Sequence, residues 1–191
     1  LVVFILGHLA THLTAVMGPQ VHMRVLKATQ GLYRNPIVEP VLLAALLAQI
    51  LVGARLLARR WGQAEKGFWG WAQLLSGGYL IAFMLNHSSA ALFTRHVLGM
   101  DTDFSWAAAT VNLAPFKYGF IPYYALGVVS AFTHLAAAVQ FAWGERVGWA
   151  PPALMALGAA VAAAILASLC GLLYPITLPP ANAAYFEKLG F

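Results

Sequence analysis

The chain has 191 residues, 61% of them hydrophobic and only 9% charged, with a formal net charge of +5 and a mean hydropathy of +0.76. A soluble domain carries about 25% charged residues, and a chain of this length cannot bury so much apolar side chain in a water-soluble core, so hydrocarbon is the expected solvent. The positive balance does not point to nucleic acid, because Lys and Arg collect at the ends of apolar stretches, where residues flanking a bilayer belong.

A spanning helix needs about 20 mostly apolar residues. On that rule the chain reads as one all-α domain, 1–191, an integral membrane bundle of about five transmembrane helices. Alternating polarity, the mark of spanning strands, is absent. The first span covers 1–17. It opens on Leu1 with no initiator Met or basic flank, which predicts an N-terminus truncated inside a membrane helix. Gly18 to Asn35 is too polar to span. Pro19 suits a first helical turn, and Val21, Val25 and Leu32 predict a short amphipathic helix in the interface, with His22 solvated. The second span, 37–58, ends on Arg59, Arg60 and Trp61, and the third, 68–94, runs from Trp69 and Trp71 to Arg95. These ends form an interfacial belt. The Arg55, Arg59, Arg60 and Lys66 cluster places the connection between them in the cytoplasm, in a bacterial inner membrane. Arg95 to Lys117 reads as a long loop holding Asp101, Asp103 and Trp106, expected to help close a pocket at the outer face with Arg95 and His96. The fourth span is 118–143 and the fifth 151–174, with Pro115, Pro122 and Pro175 at helix ends. The single cysteine, Cys170, has no intrachain partner and reads as a packing residue.

Two spans look alike. Phe4-Ile5-Leu6-Gly7-His8 matches Phe83-Met84-Leu85-Asn86-His87, and small residues follow both histidines. More loosely, Gln49-Ile50-Leu51-Val52 falls over His134-Leu135-Ala136-Ala137, suggesting two related helix pairs plus one extra helix.

Ionisable residues inside a span are functional-site hypotheses by default; here they are His8, His12, His87 and His134. At about 1.5 Å per residue, His8 lies roughly 15 Å from Gly18 and His87 roughly 12 Å from Arg95, a shared depth if alternate helices run the same way. Two imidazoles at one depth on separate helices suit axial ligation of a haem iron. Gly7, Thr11, Ala90 and Ala91 would let a flat macrocycle approach, and Arg24, Arg34, Arg95 or His96 would meet the propionates. The competing readings are a non-haem metal site at His8, His12 and His87, or histidines that only hydrogen-bond neighbouring carbonyls in a structural or transport subunit.

The pattern resembles the cytochrome b membrane anchor of succinate dehydrogenases and fumarate reductases, especially the single-chain, five-helix, di-haem type. The resemblance rests on the intramembrane histidines, the helix-pair repeat and segments such as His8-Leu9-Ala10-Thr11-His12-Leu13, Tyr33-Arg34-Asn35-Pro36-Ile37-Val38-Glu39-Pro40, Gly78-Tyr79-Leu80 and Asp101-Thr102-Asp103-Phe104. It implies His8 and His87 as one axial pair of a haem b and His134 as one ligand of a second haem. Gln49 stands at the remaining position and is not a usual ligand, which implies a mono-haem variant. It also implies a quinone as substrate and iron–sulfur and flavoprotein subunits as partners. With no cysteine cluster and no GxGxxG, the chain would be a quinone-reactive or non-catalytic subunit of a respiratory oxidoreductase.

Overall fold

The computed structural model describes residues 1–63, 67–144 and 146–188; Lys66, part of the basic cluster used above for orientation, lies outside them. The described chain is all helical. Its elements are α1 (Val2–Leu13), a 3-10 turn over Thr14–Met17, α2 (Pro19–Tyr33), α3 (Val38–Trp61), α4 (Gly67–His96), α5 (Phe104–Asn112), α6 (Phe116–Trp143), α7 (Ala150–Leu169) and α8 (Pro180–Lys188).

Four helices, α3, α4, α6 and α7, are long and apolar enough to cross a membrane, while Val2–Met17 is apolar but shorter. The four form an antiparallel series. Gly53 packs on Ile81 and Leu57 on Gly78 between α3 and α4, and Gly127 lies against Phe83 between α6 and α4. Two glycines allow the closest approaches. A Cβ on Gly127 would stand 2.4 Å from the Phe83 ring, and one on Gly158 of α7 would stand 2.4 Å from Cβ of Phe132 on α6. Tyrosine hydroxyls tie α4 to α6: Tyr79 donates to the Tyr123 carbonyl at 2.9 Å and Tyr123 to the Phe83 carbonyl at 3.1 Å.

The short helices gather at one end of this series. Gly18, at φ 107, turns the chain from the 3-10 segment into α2, and Pro19 opens that helix. Tyr174 donates to the Ala15 carbonyl at 2.6 Å, Arg34 pairs with Asp101, and Arg95 pairs with Glu39.

Three expectations change here. The Arg95–Lys117 segment is not an open loop: it contains α5, N-capped by Asp103, which accepts from the Trp106 amide at 3.0 Å. Ala108, Val111 and Phe104 of α5 are buried with Ala15, Ile165 and Leu169. Pro122 is not at a helix end but inside α6; having no N–H, it leaves the carbonyl one turn earlier without its usual donor. The last long helix, α7, stops at Leu169 rather than 174, because Gly171 takes a left-handed φ of 75.

Candidate functional site

Four histidines line up. His87 on α4 faces His8 on α1 with ring centroids 6.0 Å apart, His8 meets His12 edge-on at 4.6 Å, and His12 lies 5.3 Å from His22 on α2. Within this row His12 Nδ1 lies 3.3 Å from His22 Nε2. His22 is fully buried, with Phe104 at 5.5 Å, and its Nδ1 has no partner. The expected solvated position is therefore wrong: α5 covers it. Burial holds the His22 imidazole below its ordinary value, partly opposed by the Asp103 carboxylate.

The facing pair is built by local sequence. Side chains four residues apart share a helix face. Phe4 stacks on His8 at 5.7 Å and an interplanar angle of 21°, and Phe83 stacks on His87 at 5.2 Å and 10°. The same device thus orients both imidazoles, and Tyr124 adds an edge contact to His87 at 6.3 Å. Among the described residues no α-carbon of α1 comes within 8 Å of one in α4. The two rings meet across a gap between helices, and both side chains keep partial exposure inside it.

The His8–His87 ring separation is compatible with two imidazoles that would hold one metal. With a metal–imidazole bond of about 2 Å, the centroids of trans ligands stand roughly 6 Å apart. A three-ligand site fits less well. Among the described residues no three His, Cys, Asp or Glu side chains form a group able to hold a metal ion, so the His8, His12, His87 alternative has no support.

The other sequence candidates scatter. His134 lies on a different interface, with Nδ1 at 3.2 Å from the Gln73 carbonyl and 3.3 Å from Ser76 Oγ. Gln49 points outward from α3 and does not face it. The pairing drawn from the loose repeat is not formed. Trp106 is 8% exposed and packs with Ala109 and Phe186, so it lines no open pocket. Arg24 and His96 are exposed. Arg95 is engaged by Glu39 and His96. Arg34 bonds Asp101 and Thr102, both at 2.9 Å, yet its buried Nε has no partner.

Sequence reasoning missed one feature. An open groove of about 360 Å³ is lined by Asn86, Pro115, Phe116, Gly119, Phe120 and Tyr123. Asn86 adjoins His87 in sequence and lines this groove with Tyr123. The signal was the Phe116, Phe120, Tyr123 spacing, which puts three aromatics on one side of α6.

These features define a multi-span helical membrane protein with a row of four histidines, His22 buried and His8, His12 and His87 half-buried. Comparison with protein-family models, curated proteins and solved structures finds no match.

Proposed function

We propose that the chain is a cytochrome b-type membrane anchor. It would pass electrons between a quinone pool and the iron–sulfur and flavoprotein subunits of a succinate dehydrogenase- or fumarate reductase-like complex. One haem b is held between His8 and His87. The observation that carries this reading is their approach to 6.0 Å across helices whose backbones stand more than 8 Å apart. Helices that packed directly would leave no room for a macrocycle. A bound haem supplies one-electron chemistry and, with two imidazole ligands, a low-spin iron.

The protein's own groups have definite tasks. Phe4 and Phe83 fix the imidazole planes. Arg34 offers a buried N–H that an added acidic group such as a propionate would satisfy. The Asn86–Tyr123 groove has aromatic walls and an amide beside His87, a setting that suits a quinone ring and its carbonyl. In this reading α1 belongs to a fifth span, and Arg59 and Arg60 face the cytoplasm of a bacterial inner membrane.

The test is a visible spectrum of the full chain produced with haem supply. The expected result is a low-spin Soret band that His8→Ala and His87→Ala abolish or convert to high spin. His134→Ala should leave most of it, because that ring lies on a different interface, held through Nδ1 by Gln73 and Ser76 and away from the His8–His87 pair. No Soret band in the native protein, or its loss only in His134→Ala, would overturn the assignment.

A further inference from the structure

α3 is the least enclosed of the long helices. Among the described residues it packs only on α4 and α2. Gly53 and Leu57 look toward α4, and a second face, bearing Val41, Ala45, Ala48, Gln49, Val52 and Leu56, is exposed. Five of these six are apolar, as lipid contact requires. Gln49 is not.

Gln49 is the twelfth of the 24 residues of Val38–Trp61. At about 1.5 Å per residue it sits roughly 17 Å from either end, in the middle of a hydrocarbon layer about 30 Å thick. Its amide carries two donors and an acceptor, and no group among the described residues bonds them. A polar side chain left without a partner in hydrocarbon is costly. Gln is among the residues that join transmembrane helices by hydrogen bonds, and small neighbours such as Ala45 and Ala48 let backbones approach.

We propose that this face of α3 is the contact between two copies of the chain, joined by a Gln49–Gln49 amide pair at mid-bilayer. Copies inserted the same way can be related by a two-fold axis only along the membrane normal, so each residue meets its own copy at its own depth. An amide is donor and acceptor at once and complements itself, which a lone carboxylate or ammonium would not. Arg55, exposed beside this face, lies about 9 Å beyond Gln49 and Arg59 about 15 Å; their long side chains snorkel toward the water at that end of the helix, where two copies of each are screened.

The proposal is independent of the haem reading. It is tested by oxidative cross-linking in native membranes, using the full chain with Cys170→Ser. Ala45→Cys should give a covalent homodimer, and Leu46→Cys, which faces α4, should not. In purified protein, Gln49→Leu should weaken dimerisation about tenfold with unchanged helix content, and Gln49→Asn should restore most of it. Three results would overturn the proposal: no homodimer from Ala45→Cys, an adduct with a different membrane protein instead, or a dimer indifferent to Gln49→Leu.

Discussion

A phenyl ring one helical turn before each facing histidine stacks on its imidazole and would set the geometry of the proposed haem site, and one of the two is itself held from behind. Phe83 lies against Gly127, where an added methyl would approach its ring to 2.4 Å. Gly127→Ala should therefore push Phe83 and turn His87 without touching a histidine. The expected readout is a shifted or partly high-spin spectrum in a protein that still inserts; an unaltered spectrum would show that Phe83 does not orient His87. His22 makes a second residue-scale prediction. Its imidazole, facing His12 and Asp103, is held below its ordinary value mainly by burial. A neutral buried imidazole contributes stability that is complete above about pH 6.5 and lost as pH falls through the lowered native value. Hydrogen exchange of the α2 amides should accelerate on going from pH 7.5 to 5, and His22→Gln should flatten that dependence. An α2 equally protected at both pH values in the unmodified chain would refute it. Much of this was legible: the Phe-x-x-x-His pattern is in the sequence, and its spacing fixes the stacking. The burial of His22 was not, because the covering residue, Phe104, is distant in the chain and lies in a stretch that read as loop.

The short helices show where apolar pattern stops being informative. The long runs from Val38, Gly67, Phe116 and Ala150 declare themselves by length and hydropathy. α5 and α8 have nine residues each, too few for an amphipathic period to stand out. They hold because they pack on one another: Phe186 of α8 is 5% exposed, meets Phe116 at 5.0 Å and shares a cluster with Trp106 and Ala109. Phe186→Ala should cost about 3 kcal/mol of local stability and release α8. Limited proteolysis should then cut between Ile176 and Lys188 while the long helices stay intact; an unchanged cleavage pattern would mean that α8 is held elsewhere. Trp106, expected at an open pocket, is instead the floor of this contact, since an indole among alanines and phenylalanines gains most from burial.

At the scale of the molecule the two ends of the bundle are unlike. One end carries α2, α5 and α8 with the Arg34–Asp101 and Arg95–Glu39 pairs, and the other carries Arg59, Arg60 and the Trp61–Trp71 contact. The antiparallel series was implicit in the alternation of apolar runs and short basic connections. The outward Gln49 was visible as a mid-span amide, but only the packing of α3 shows that nothing among the described residues answers it. The histidine pair is likewise off centre. His87 lies 20 residues from Gly67 and nine from His96 (87 − 67 and 96 − 87), about two-thirds of the way along α4. A membrane potential does work of about 2.3 kcal/mol per elementary charge per 100 mV over the full thickness. A charge brought to the pair from the Arg59 side would therefore cross about two-thirds of that drop, and one brought from the short-helix side only about a third. If the proposed haem sits at this pair, its depth alone would make its charge state respond to the voltage across the membrane, more strongly from one compartment than from the other.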